Sequence, residues 1–168
     1  MRALVITASN RAAAGVYADS GGPIIVQALQ SLGFEVDGPL VVPDGEPVAA
    51  ALRGAVESSY AVVITTGGTG LTPGDLTPEV TRTVIDREIP GIAEAIRAYG
   101  VGLGVPTAVL SRGVAGLAGQ TLVVNLPGSP GGVRDGMHVL GPVLVHAVQQ
   151  VRGSDHDLTG DEPVGGGS

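Results

Sequence analysis

The chain has 168 residues and a mass of 16.6 kDa, with nine arginines, no lysine, no cysteine and a formal net charge of −7. A domain of that size builds its own core, and the missing residues exclude disulfides, thiolate chemistry, cysteine-ligated zinc, a Walker-type phosphate lysine and lysine Schiff bases. The acidic balance repels a phosphate backbone and argues against nucleic acid as a partner. Only four aromatic side chains are present (Tyr17, Phe34, Tyr60 and Tyr99), so the core falls to Val, Leu, Ile and Ala. So few rings also argue against an FMN-carrying electron-transfer protein.

The amino terminus, MRALVITASN, pairs one arginine with a six-residue apolar run. That run is too short for a signal peptide or for a membrane span of about twenty residues. A cytoplasmic protein without membrane contact is therefore expected. Ala3–Ala8 reads as a strand buried on both faces. Asp19 caps a helix that has Pro23 near its start and Gly33 at its end. Phe34–Val42 is the next strand, Pro47 opens a second helix, and Ala61–Thr65 is a third strand. Thr77 caps a helix running to about Arg87, and Gly91–Tyr99 forms another. Ala108–Ser111 and Thr121–Asn125 supply two further strands, and Val139–Val151 is the closing helix. Strand and helix alternate, which predicts an α/β fold of three layers, α/β/α, around a mostly parallel central sheet. Residues 1–152 are read as one domain. Residues 153–168 hold four acids and no arginine, lack periodicity, and are expected to form a disordered acidic, Gly-rich tail.

Ligands in such sheets bind outside the carboxyl ends of the strands. After the third strand comes Thr65-Thr66-Gly67-Gly68-Thr69-Gly70, followed by Leu71-Thr72-Pro73-Gly74-Asp75-Leu76-Thr77-Pro78-Glu79. Three glycines in four positions let backbone N–H groups approach an anion, and the following helix adds its dipole. After the strand at 121–125 comes a second rigid turn, Asn125-Leu126-Pro127-Gly128-Ser129-Pro130. Asp44 follows the second strand, and Ser111-Arg112 the fourth. One Gly-rich turn is ordinary architecture; two on one edge, joined by Asp44, Asp75, Ser111 and Arg112, favour phosphate binding. The dinucleotide fingerprint is absent, because Gly68, Gly70 and Gly74 are spaced two and four apart. His138, His146 and His156 fit no compact zinc motif. Asp86, Arg87 and Glu88 read as a solvated helix end, and Glu79 as a first-turn carboxylate beside Asp75.

The segment TTGGTGLTPGDLTPE, with NLPGSPGG about fifty residues later, resembles the molybdopterin-binding family of molybdenum cofactor biosynthesis. The likeness extends over residues 2–152. It implies a nucleotidyltransferase that adenylylates molybdopterin with Mg-ATP and releases diphosphate before a separate enzyme inserts molybdate. The family also contains paralogues that bind molybdopterin without that chemistry, so a non-catalytic carrier is the alternative. Carried over, Asp44 and Asp75 match the catalytic, Mg²⁺-associated carboxylates. Gly67, Gly68, Thr69 and Gly70 match the nucleotide loop. Ser111, Asn125, Pro127 and Gly128 match positions lining the nucleotide and pterin pocket, and Arg112 and Ser129 beside them complete the candidate set. A homotrimer is implied as well. The chain departs from the family pattern at Gly74, where arginine is common, at Ser9-Asn10 in place of Ser-Asp, and at Gly21-Gly22-Pro23 in place of Ser-Gly-Pro.

Overall fold

A chain rich in short β-branched runs must cover both faces of whatever sheet it forms. In the computed structural model, which describes residues 1–153, helices do so on either side of a six-stranded sheet. The first strand, β1 (Arg2–Ala8), sits beside β2 (Glu35–Val42) and β3 (Val62–Thr66), and β6 (Thr121–Leu126) lies beyond β3; these four are parallel. The remaining two, β5 (Ala115–Ala118) and β4 (Arg87–Glu88), add antiparallel to give the order β2-β1-β3-β6-β5-β4.

Side-chain alternation divides the interior into two cores. Ala3, Val5, Val62, Ile64, Leu122, Val124 and Leu126 face α2 (Gly21–Ser31), α5 (Pro90–Gly102) and α6 (Pro130–Val151). Leu4, Ile6, Val63 and Val123 face α3 (Glu46–Glu57) and α4 (Thr77–Arg82). The three-layer, mostly parallel architecture expected above is the one observed. Because the chain leaves β1 for one side of the sheet and reaches β3 on the other, the crevice between their carboxyl ends is a topological switch point, where such sheets bind ligands.

Several local readings need correction. Residues 108–111 form no strand; Pro106–Leu110 is a 3₁₀ turn, begun by the fixed φ of Pro106. The missing strand is Ala115–Ala118, whose Ala and Gly residues carry little β signal yet are all buried, and Gly119 (φ 58°) turns it into β6. The helix begun at Thr77 stops at Arg82, and Arg87-Glu88 is an edge strand rather than a helix end. The last helix starts at Pro130, nine residues before the expected Val139, with Ser129 as its cap accepting from Gly132 N at 3.1 Å. Its glycines serve packing: a Cβ on Gly136 would stand 2.6 Å from Leu126 Cδ2. A further turn of helix, α1 (Asn10–Ala13), follows β1 and is capped by Ser9.

At the amino edge of the sheet, Arg2 Nη1 donates to Ser58 O (3.4 Å) and Arg152 Nη2 to Ser59 O (3.0 Å), so both ends of the domain hold one turn. No helix among the described residues is long and apolar enough to cross a membrane. The tail expected over 153–168 lies, from residue 154 on, outside the described residues.

Candidate functional site

The carboxyl edge is shaped by two glycines at which any side chain would meet both backbone strain and a close neighbour. Gly67 (φ 89°) passes so close to the end of β1 that a Cβ would strike the carbonyl oxygen of Ala8. A Cβ on Gly68 (φ 68°) would strike the carboxylate of Asp44 and the hydroxyl of Thr77. The chain therefore folds flat over Asp44. The N–H groups of Gly68, Thr69 and Gly70 donate to no acceptor among the described residues, so they stand ready for an anion.

Asp44 is anchored from several sides. Its Oδ1 accepts from Thr77 Oγ1 (2.8 Å) and from Gly45 N (2.7 Å), its Oδ2 accepts from Leu76 N (3.0 Å), and its own N–H donates to Asn10 Oδ1 (3.1 Å). Thr77 is thus no helix cap; it is fully buried and ties the start of α4 to the loop after β2. Asp75 closes a turn on Thr72, its Oδ2 accepting from Thr72 N (3.0 Å) and Thr72 Oγ1 (2.7 Å). Its Oδ1 makes no hydrogen bond with the described residues.

Asp44 and Asp75 line one polar depression of about 320 Å³, together with Ser9, Asn10, Arg11 and Gly68. Gly68, Thr69, Gly70, Asp75, Ser111, Pro127 and Gly128 line the next, of about 440 Å³. Beyond it lies a mostly apolar hollow of about 280 Å³ over the start of α6, where Ile96, Val105, Ala108 and Pro127 meet Ser111, Ser129 and Asp135. Gly128 itself approaches Gly67, with room for a Cβ only 3.3 Å from its Cα. In the crevice between β1 and β3, Ser9, Asp19, Ser20 and Gly21 face Thr66 and Gly67.

Most of the residues singled out in sequence therefore share one edge, but two do not serve as expected. Asn125 is buried, because it shares the face of β6 that carries Val123 and so points under α4. Its Nδ2 donates to Thr65 Oγ1 (2.9 Å) and Thr81 Oγ1 (3.1 Å), and its Oδ1 accepts from Val114 N (3.1 Å). It braces the site from below rather than lining a pocket. Asn125→Ala should cost about 1–3 kcal/mol, since it strands Val114 N in the interior; urea denaturation measures this.

Arg112 lies behind the loop. Its Nε donates to Gly70 O (2.8 Å), its Nη2 to Asp75 O (2.8 Å) and its backbone N–H to Thr69 O (2.9 Å), while its Nη1 pairs with Glu79. The hydrogen bond from Arg112 holds the Glu79 carboxyl below the usual range, and Glu79 in turn raises the guanidinium. A depressed carboxyl stabilises the fold above its unfolded pKa, and this contribution fades as pH falls through the folded value. The acid-side loss of melting temperature should therefore be shallower in Glu79→Gln than in wild type, by a small margin because Glu79 is half exposed. Arg11, by contrast, escaped notice in sequence and faces the same depression as both aspartates. The only hint was its position three residues beyond β1.

A hard divalent cation takes oxygen ligands, often one or two carboxylates with phosphate oxygens and water. The open Oδ1 of Asp75, with Asp44 on the same depression, fits a cation that arrives on a nucleotide. No group of three or more His, Asp or Glu suited to a resident metal exists among the described residues.

The family model described as "Probable molybdopterin binding domain" matches residues 4–146. A molybdopterin adenylyltransferase of Escherichia coli is 36% identical over 156 residues, covering 88% of this chain and 80% of the relative. A molybdenum cofactor biosynthesis bifunctional protein of Chlorobaculum tepidum is 35% identical over 157 residues; 92% of this chain matches, spanning half of that protein. The solved structure of the molybdopterin biosynthesis Mog protein from Mycobacterium ulcerans superposes with a TM-score of 0.85 at 56% identity. It covers 89% of this chain and 98% of that one.

Proposed function

The chain belongs to the molybdopterin-binding family of molybdenum cofactor biosynthesis, and on that premise we propose that it adenylylates molybdopterin with Mg-ATP. One observation carries the reading furthest: the unengaged N–H groups of Gly68–Gly70 lie on an edge where Asp44 and Asp75 share a depression with Arg11. The terminal phosphate of molybdopterin is an anion at neutral pH and needs no general base. Its oxygen forms a bond to the α-phosphorus of ATP, and the bond to diphosphate breaks. The obstacle is repulsion between two phosphates. Backbone donors of the loop stabilise the charge that develops in the transition state, and Arg11 offsets part of it. Asp44 and Asp75 would hold the Mg²⁺ that arrives with ATP, and that cation would supply neutralisation of phosphate oxygens. The apolar hollow beside Ser111 and Pro127 accommodates the pterin.

Incubating the protein with molybdopterin, Mg²⁺ and labelled ATP should yield adenylyl-molybdopterin and diphosphate. Molybdopterin binding without adenylate would instead favour the carrier, a reading that Gly74 supports because arginine is common there in the family. The adenylate then passes to a molybdate-inserting enzyme, in the cytoplasm where ATP is available. We also infer a homotrimer. Val101, Leu103, Val105, Val109 and Leu110 are exposed and clustered around the end of α5 and the 3₁₀ turn. Light scattering should return roughly three times 16.6 kDa; a value for one chain would overturn the assembly.

A further inference from the structure

Behind the glycine-rich loop lies a depression of about 350 Å³ lined by Arg82, Glu88, Pro90, Ala93, Arg97 and Arg112, together with residues 113–115. Three of the nine arginines of an acidic chain converge there. Glu88 pairs with Arg82 at 3.2 Å and Glu79 with Arg112, on which Asp75 and Asp44 also act through space. Arg97 has no carboxylate partner among the described residues. One of its nitrogens, Nη1, is fixed by the carbonyls of Ser111 (3.1 Å) and Gly113 (3.0 Å), which orients a half-buried guanidinium without neutralising it. Its Nε and Nη2 donate to no acceptor among the described residues. Elsewhere Arg2, Arg53 and Arg87 are each matched to a nearby carboxylate. A planar guanidinium donates two parallel hydrogen bonds to an oxyanion, and two such groups flanking a third suit a compact, multiply charged anion.

We propose that the depression between Arg82, Arg97 and Arg112 is a binding site for a tetrahedral dianion of the phosphate class, distinct from the glycine-rich edge. The inference does not rest on the proposed reaction. Free phosphate and the end of a diphosphate share this chemistry, and the two are compared in the test.

The test is a titration of the full chain with inorganic phosphate at constant ionic strength, followed through the arginine Nε–Hε and backbone amide signals in ¹⁵N-labelled protein. The Nε–Hε signals of Arg82, Arg97 and Arg112 should shift along one saturating curve. Arg97→Gln should weaken that curve roughly tenfold or more, the scale for losing a hydrogen bond to a charged group, while Arg53→Gln leaves it unchanged. Diphosphate in place of phosphate should saturate the same three signals at lower concentration if the site prefers the product-like anion, and at equal or higher concentration if it takes free phosphate; either supports the site. Movement of the Gly68–Gly70 amides while Arg82 and Arg97 stay still would place phosphate on the loop alone and overturn the proposal. So would wild-type phosphate affinity in Arg97→Gln. Should Arg97→Gln fail to fold, Arg82→Gln, whose partner is an exposed pair, must show the weakened curve, and unchanged binding there overturns the proposal.

Discussion

Asp75→Asn should lower the rate of adenylyl-molybdopterin formation by roughly 10²–10⁴-fold, the range for removing one key electrostatic contact from a transition state, with thermal stability nearly intact. The amide retains an oxygen that can accept from Thr72 N and Thr72 Oγ1, as Asp75 Oδ2 does now. The turn therefore has no reason to open. What disappears is the negative charge of a carboxylate that lines the depression shared with Asp44 and Arg11 and whose Oδ1 makes no hydrogen bond with the described residues. Melting temperature, molybdopterin binding by fluorescence and single-turnover adenylate formation separate these effects. A variant that turns over like wild type would remove Asp75 from the chemistry. One that unfolds would make it a structural residue.

Gly68→Ala should damage both the fold and nucleotide binding. The left-handed backbone at φ 68° costs an alanine about 1–2 kcal/mol, and its methyl would enter the space of Asp44 and Thr77, adding about 1–3 kcal/mol of overpacking. The hydrogen bond between Thr77 and Asp44 would have to break or the loop would have to lift. In either case the N–H groups of Gly68–Gly70 lose their alignment. We expect a loss of about 2–5 kcal/mol in urea denaturation and ATP binding too weak to saturate. Gly74→Ala is the control, because nothing lies within 4 Å of a Cβ there. It should stay within about 0.5 kcal/mol of wild type. Equal effects at the two positions would mean that loop flexibility, rather than close contact, is what glycine provides.

The parts of the site that could be read from sequence were those whose chemistry is local. Gly67 and Gly68 mark a tight backbone passage wherever they occur after a buried strand, and Asp44 and Asp75 follow strand or loop ends that a parallel sheet must gather on one edge. What escaped depends on distant partners. Thr77 resembles any helix-capping threonine until Asp44, 33 residues earlier, is brought beside it. Asn125 matches a pocket-lining position only through the family resemblance, whereas counting faces from Val123 turns it inward. Arg112 was read as a phosphate ligand, and only the folded loop supplies the carbonyls that hold it. The start of α6 was hidden because glycines that read as helix breakers are there to admit Leu126. The Ala-Gly strand β5 was hidden because burial, and not propensity, makes it a strand.

The turn at Ser58-Ser59, gripped by Arg2 from one end of the domain and Arg152 from the other, has an architectural consequence. Both ends of the described domain lie beside one turn on the amino edge, and α6, 22 residues long, separates the second of them from its cap at Ser129 by about 33 Å. An added domain, an affinity tag or a tether to a successive enzyme can thus be attached at either end of the described domain without crossing the carboxyl edge of the sheet. The same closeness makes the domain a candidate for circular permutation, with a short linker joining the two ends beside the Ser58-Ser59 turn and the glycine-rich loops left continuous.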